Sequence, residues 1–470
     1  MQKTLRQLHE EIKNGVLTIE ALVEGCKKTI KEKDGDVHAM LGMYSDALVT
    51  SQIAKAKDMF AKGTATTLTG IPVVLKDNIL VKGEVATGGS KILEHYVATY
   101  DATVVKKLKE AGAILLGRAN MDEFAMGGST ENSAYGETKN PHDLTKVAGG
   151  SSGGSSAVVA YGGVPVSLGS DTGGSIRQPA SFCGIVGLKT TYGEVSRFGV
   201  MAMGSSFDQI GPFGNTVEDV REVYNVIKGH DVMDATSLPE DDKSKEKSVL
   251  KKVIGVPVSF VNQKGVNAEV LANFNASLEK FKQEGYLIKD ITISHLEKAL
   301  SVYYVIMFAE VSSNLARYDG IRYGLSHPGE TSIRSYFESR TAGFGPEVRR
   351  RILLGTYVLS SGYYDAYYNK ANLVRNILKK EFAKSFTDID VIATPTSPIP
   401  AFALGEKSHD PLSMYLADIF TVPVNIVGVP AISVPSGKTS TGLPLGMQFI
   451  APHNREDLLF TYGEELERLY

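Results

Sequence analysis

Residues 149–177 read GGSSGGSSAVVAYGGVPVSLGSDTGGSIR. Two glycine/serine knots, Gly149–Ser156 and Asp171–Arg177, flank the small apolar run Ala157–Leu168. Glycine-dense backbone loses more conformational freedom on ordering than any other, so two such knots in one stretch need a reason. A flexible linker is one reading. A linker does not enclose AVVAYGGVPVSL, however, which has the composition of a buried helix leading into a strand. The better reading is two loops side by side, each offering hydroxyls and unobstructed backbone N–H groups. A nucleophile and an oxyanion hole require those groups.

The surrounding chain of 470 residues is 43% hydrophobic and 22% charged, as in ordinary folded proteins. A net charge of -3 argues against a broad nucleic-acid footprint on this chain. Two cysteines, Cys26 and Cys183, supply neither a disulfide framework nor a zinc spacing, so a reducing cytoplasm is the expected setting. Cys183 reads as a small buried hydrophobe. The opening residues MQKTLRQLHEEIKNG lack the apolar core of a signal peptide, and no uncharged apolar run reaches membrane-spanning length. A soluble protein with no membrane attachment is expected.

Helical spacing predicts a helix over Thr4–Lys13, a second capped by Thr18, and a third over Val37–Lys62 ended by Gly63. Ile71–Leu75 is a continuous apolar run, as in a strand buried on both faces, and Lys76 stands at its end. A helix over Asp101–Glu110 and a strand over Ala113–Leu116 complete a parallel βα unit. Asn120–Gly136 is a loop able to line a site. Ser205–Pro212 reads as turns before a helix capped by Thr216. The charged run Pro239–Lys252 reads as an exposed loop. Beyond it the α/β pattern resumes with strands at Val253–Val258 and Tyr286–Ile293 around the helix Ala268–Gln283. Leu300–Ala316 and Pro346–Lys384 read as long helices. Strands at Asp390–Pro400, within Asp418–Val434 and at Leu445–Ile450, then a helix over Arg455–Tyr470, close the chain. The fold class is α/β: one unit over 1–470 with a mixed central sheet, helices on both faces, a helical arm over 1–65, a core over 66–220 and the remaining sheet and pocket helices over 221–470.

Ser175 is a poor nucleophile unless a base takes its proton. None of the nine histidines sits in a motif of the triad type. Gly149-x-Ser151-x-Gly153 matches a nucleophile elbow only weakly, with no strand expected directly before it. Gly184-Ile-Val-Gly-Leu-Lys-Thr lacks phosphate-loop spacing, and Ser277-x-x-Lys280 lies on an amphipathic helix. Lys76 is the other candidate base. A free lysine has a pKa near ~10.4, and burial can lower it by ~3 units or more, enough to accept a proton near neutrality. Ser151 can relay that proton from Ser175.

Lys76 after its strand, GGSSGGS at Gly149–Ser155 and DTGGSIRQPA at Asp171–Ala180 together resemble the amidase signature family over nearly the whole chain. The resemblance implies Ser175 as nucleophile and carrier of an acyl ester, Ser151 as bridging serine after a cis peptide bond, and Lys76 as base. It implies an oxyanion hole from Thr172, Gly173, Gly174 and Ser175. Segments Glu310–Gly324, Gly345–Lys370 and Asp418–Pro435 narrow it to the glutaminase branch, whose members release ammonia from glutamine for tRNA-dependent amidation. For this branch, Arg351 would clamp the glutamine carboxylate and Asp418 its ammonium, with Tyr303 or Tyr304, Gly127 and Ser129 around them. Without the resemblance, Arg349, Arg350 and Arg351 read as solvated helix charges. The branch further implies no cofactor or metal on this chain. ATP and Mg2+ would sit on a partner subunit. The B and C subunits would complete a heterotrimer, and tRNA would be held mainly by the partner. The chain departs from the family at a glycine within Met126–Ser129, at Phe207 in place of leucine, and in a short tail. A stand-alone amidase of other small amides and a catalytically inactive scaffold protein are the competing readings.

Overall fold

The computed structural model describes residues 3–240, 250–408 and 410–470; most of the charged run Pro239–Lys252 lies outside them. In chain order the elements are α1 (Leu5–Lys13), α2 (Ile19–Val37), β1 (Met40–Met43), α3 (Asp46–Ala61), β2 (Pro72–Lys76), α4 (Thr103–Glu110), β3 (Ile114–Ala119), β4 (Lys139–Asn140), β5 (Asp143–Val147), α5 (Gly153–Ala160), β6 (Val166–Asp171), α6 (Arg177–Cys183), β7 (Val186–Lys189), β8 (Gln209–Gly214) and α7 (Val217–Ile227). There follow β9 (Val253–Val256), α8 (Val258–Val261), α9 (Ala268–Gln283), β10 (Leu287–Asp290), α10 (Ala299–Asn314), α11 (Ser332–Gly343), α12 (Pro346–Leu359), α13 (Lys370–Ser385), β11 (Val391–Pro395), α14 (Pro411–Leu416), α15 (Val422–Val427), β12 (Ala431–Lys438), β13 (Pro444–Ile450) and α16 (Glu456–Leu469).

Eleven strands form one mixed sheet in the order β1-β3-β2-β6-β8-β7-β12-β13-β11-β9-β10. Its centre is antiparallel from β6 to β11, and both flanks are parallel: β3-β2-β6 on one side, β11-β9-β10 on the other. Strands from both sides of the charged run therefore share one sheet. β2 and β6 are buried along their whole length, as continuous apolar runs in a covered parallel sheet must be. Both end at the same edge, so Lys76 and Asp171 arrive together where α/β sheets bind ligands.

Four expectations change. The predicted helix Val37–Lys62 is α3 alone. His38, in the left-handed region, ends α2, and β1 pairs antiparallel with β3 before Ser45 caps α3. The N-terminal arm thus contributes an edge strand. The helix predicted over Pro346–Lys384 breaks after Leu359, where Ser360 turns extended and Gly362 is left-handed, and a π-turn over Asp365–Asn369 leads into α13. The turns expected at Ser205–Pro212 include the start of β8, a central strand whose Gly-Pro content conceals it. A strand, β5, does precede Gly149, and α5 takes Gly153 and Gly154 of the first knot into its first turn. The pair Ser277 and Lys280 is structural: both tie α9 to the C-terminal residues Leu469 and Tyr470.

The run Leu296–Arg317, containing α10, is long and apolar enough by composition to cross a membrane. Here Val302, Tyr303, Ile306 and Met307 pack inside the chain. α12 lies directly on α10, and the approach depends on Gly355. A Cβ there would stand 1.8 Å from the Phe308 carbonyl oxygen. Gly355→Ala is therefore expected to push the helices apart and cost about 1–3 kcal/mol, the usual penalty for overpacking. Urea denaturation reads the loss; an unchanged midpoint would contradict the close packing.

Candidate active site

Lys76 is completely buried at the end of β2, and its Nζ lies 2.8 Å from Ser151 Oγ, 2.8 Å from Ser152 Oγ and 3.0 Å from Ser170 Oγ. Asn78 donates to the same Ser170 hydroxyl. Burial pushes the lysine down to about 7, against the pull of Asp122, Asp171 and Asp208. The Gly150–Ser151 peptide bond is cis. Its neighbourhood leaves no room for a side chain at position 150, where a Cβ would stand 2.3 Å from Asp122 Oδ2 and 2.6 Å from the Ser129 nitrogen. Gln178 Oε1 accepts from Gly150 N–H at 3.0 Å, which ties the Ser151 loop to α6, the helix that follows Ser175.

Ser175 lies in the second knot. Its loop is shaped by Asp171, whose carboxylate accepts from the N–H groups of Gly174 at 2.9 Å and Ile176 at 3.1 Å. Arg177 grips the same carboxylate through Nε at 3.1 Å and Nη2 at 3.0 Å, and both side chains are fully enclosed. Burial alone would raise Asp171; Arg177 overrides it and holds the carboxyl at about 2. Arg177 also donates to Thr421 O, Gln448 Oε1 and Asn425 Oδ1, and Thr421 Oγ1 donates to Gly173 O at 2.7 Å. Gly174 N–H is committed to Asp171, whereas the N–H groups of Thr172, Gly173 and Ser175 donate to nothing among the described residues. The Thr172 hydroxyl is held at 2.7 Å by Asp208, a carboxyl that burial raises to about 6.

The pocket residues come from distant elements. Arg351 on α12 is buried, while Arg349 and Arg350 are exposed, so the three are not alike. Glu347, one helical turn earlier, accepts from Arg351 Nε at 2.7 Å. Asp418 follows α14. Burial raises its carboxyl to about 8 although Arg351 pulls it down, and its side-chain oxygens accept no hydrogen bond among the described residues. Of the two tyrosines, Tyr303 meets the nucleophile loop: a Cβ at Gly173 would stand 2.7 Å from its hydroxyl. Tyr304 instead stacks on Tyr415 of α14 at 4.0 Å. Phe207 backs Tyr303 at 5.3 Å. Gly127 packs so closely that a Cβ would meet the Asp122 carboxyl at 2.2 Å, and Ser129 Oγ is buried without a partner. Met414 of α14 borders Gly128, so this loop packs against α14.

A serine on a glycine-rich loop, a buried lysine on a second serine, and separated cationic and anionic groups suit amide hydrolysis. The family model described as Amidase matches residues 21–460. The chain belongs to the amidase family. A protein of Koribacter versatilis (strain Ellin345), named as the A subunit of glutamyl-tRNA(Gln) amidotransferase, is 50% identical over 456 residues, covering 96% of this chain and 95% of its own. One of the same name from Thermoanaerobacter pseudethanolicus (strain ATCC 33223 / 39E) is 49% identical, with 99% and 96% covered. The crystal structure of the A subunit of glutamyl-tRNA(Gln) amidotransferase from Thermotoga maritima matches with a TM-score of 0.78 and 41% identity, covering 94% of this chain and 92% of its own. Within the amidase family the chain is also similar to 6-aminohexanoate cyclic dimer hydrolase, with a TM-score of 0.82, 25% identity, and 99% and 97% covered.

Reasoning from the sequence missed Asp122, Asp208, Ser170, Glu347 and Tyr415. Glu347 stands four residues before Arg351, the spacing of a helical ion pair, and was open to discovery. Nothing local marks Tyr415. Arg177→Ala is expected to destabilise the amidase by about 3–5 kcal/mol, because it strands a buried carboxylate. A loss below ~1 kcal/mol in chemical denaturation would contradict the central place given to this pair.

Proposed function

We propose that this chain is the glutamine-hydrolysing A subunit of a glutamyl-tRNA(Gln) amidotransferase. The observation that carries the reading is Lys76 Nζ on Ser151 Oγ in a fully buried site. Identity near one half with proteins named as that A subunit, over nearly the full chain, supports it.

A neutral Lys76 has two N–H donors and one lone pair. The donors satisfy Ser152 Oγ and Ser170 Oγ, and the lone pair accepts the Ser151 hydroxyl proton. Ser151 Oγ is then free to accept from Ser175. Ser175 Oγ attacks the glutamine side-chain carbonyl as its proton passes through Ser151 to Lys76. The backbone N–H groups of Thr172, Gly173 and Ser175 stabilise the oxyanion. As the tetrahedral adduct collapses, Lys76 returns the proton through Ser151 to the departing nitrogen. Ammonia leaves, and a glutamyl ester remains on Ser175. Water cleaves the ester by the same proton route and gives glutamate. Arg351 holds the α-carboxylate and Asp418 the α-ammonium, a pairing that also draws the Asp418 carboxyl toward its charged form.

Ammonia then passes to the partner B subunit, where ATP and Mg2+ serve amidation of glutamate on tRNA. With the C subunit these two make up a cytoplasmic heterotrimer, and tRNA is held mainly by the partner. This chain supplies no metal or cofactor.

Two measurements test the reading on chain co-expressed with its partners. Arg351→Ala is expected to lower kcat/KM for glutamine roughly 30- to 150-fold, since a charge-assisted hydrogen bond contributes ~2–3 kcal/mol, while leaving butanamide hydrolysis within about twofold. Equal rates on glutamine for variant and wild type would favour the stand-alone amidase; no ammonia from wild type would favour the scaffold. For the base, the neutral form is active and its pKa is about 7, so kcat/KM for butanamide, which makes no call on the Asp418 carboxyl, should rise with pH up to about 7 and level above it. Lys76→Ala should lower kcat about 10²–10⁴-fold. A pH-independent rate would remove Lys76 from the base role.

A further inference from the structure

We propose that Glu347 and Tyr415 are positioning residues that join the Arg351 clamp to the nucleophile loop, so that glutamine is selected in turnover and not in binding alone. The inference rests on the glutaminase reading and deepens it.

One carboxylate oxygen fixes two groups at once. Glu347 Oε1 accepts from Arg351 Nε at 2.7 Å and from the Tyr415 hydroxyl at 3.0 Å. The guanidinium carbon lies 5.6 Å from the Tyr415 ring centre, within cation–π range. With Nε held by Glu347 and Nη1 against Met307 Sδ at 3.8 Å, Nη2 donates to no group among the described residues. It is the donor left for a carboxylate.

From Tyr415 the contacts run on without a gap. Its ring stacks on Tyr304 at 4.0 Å and 28°. Tyr304 meets Tyr303 edge-on at 5.0 Å and 79°. The hydroxyl end of Tyr303 packs so tightly on Gly173 that a Cβ there would stand 2.7 Å away. Gly173 supplies an oxyanion N–H. Phe207 at 5.3 Å closes the far side of Tyr303, and Arg375 lies over the Phe207 ring at 4.7 Å. Aromatic rings have few torsions and packed interiors transmit strain, so a load on the guanidinium reaches the oxyanion loop through three rings. An amide that lacks the α-carboxylate applies no such load. Energy from a remote part of the substrate is then realised at the reacting carbonyl, which raises kcat.

The test compares glutamine with butanamide, which has the same reacting end and no α groups, using the assembled enzyme. Tyr415→Ala removes ring and hydroxyl. It should lower kcat for glutamine about 30- to 100-fold, with a smaller rise in KM, and lower kcat for butanamide at least tenfold less than that. Tyr415→Phe keeps the stack and should restore most of kcat. A rise in KM alone would overturn the proposal, because the residue would then only bind. Equal losses on both amides would also overturn it, because the effect would be general misfolding. Wild-type enzyme that hydrolyses butanamide but not glutamine would refute the glutaminase reading itself, a result that needs no variant to recognise.

Discussion

The enclosed pair of Asp171 and Arg177 is the interaction on which the site depends. A carboxylate at the end of a buried strand is costly unless its charge and lone pairs are met. Arg177 meets the charge, while Gly174 N–H, Ile176 N–H and Asn425 meet the remaining acceptor capacity. The result is a loop whose backbone is aimed by an ion pair instead of by a strand ladder. Gly174, with a φ of 136°, is the position that allows it, and Thr421 leaves no space there for any side chain.

Lys76 solves the opposite problem. Among the described residues it has no carboxylate in hydrogen-bond contact, and its contacts are the hydroxyls and one carbonyl of Ser151, Ser152 and Ser170. An ammonium surrounded by neutral oxygens loses more solvation than it regains, so the proton becomes easy to remove. Lys189 shows that burial alone is not catalysis. It too is fully enclosed and lowered to about 7, but its Nζ is spent on the carbonyls of Thr190 and Val429. Arg177, Asp171 and Glu456 act on it electrostatically.

Local pattern carried the layers of the fold, because buried strands such as β2 and capped helices such as α2 and α7 declare themselves within a few residues. It failed where pairing partners decide. β1 is four residues long and exists through β3, and β8 holds two glycines and a proline yet sits mid-sheet. In the site, Lys76, Ser151 and Ser175 stand in motifs dense enough to read. The groups that tune them do not, because Asp208 and Tyr415 act through contacts made at long sequence separation. In the sequence a glycine such as Gly174 reads only as unobstructed backbone; in the fold its N–H faces a carboxylate three residues back. Arg351 shows the converse. Its charge looked like its neighbours', and only packing against α10 and α14 separates it from them.

Arg177 reaches Thr421, Asn425 and Gln448, the last of these 271 residues away on β13. During synthesis Lys76, Ser151 and Ser175 emerge long before those acceptors do. A nascent chain of about half length therefore carries Lys76, Ser151 and Ser175 with the loop around Ser175 still unbraced. Contacts of such long separation form late, after much loop-closure entropy has been overcome. The brace on the loop around Ser175 is thus completed only by residues of the last helices and strands of the sheet.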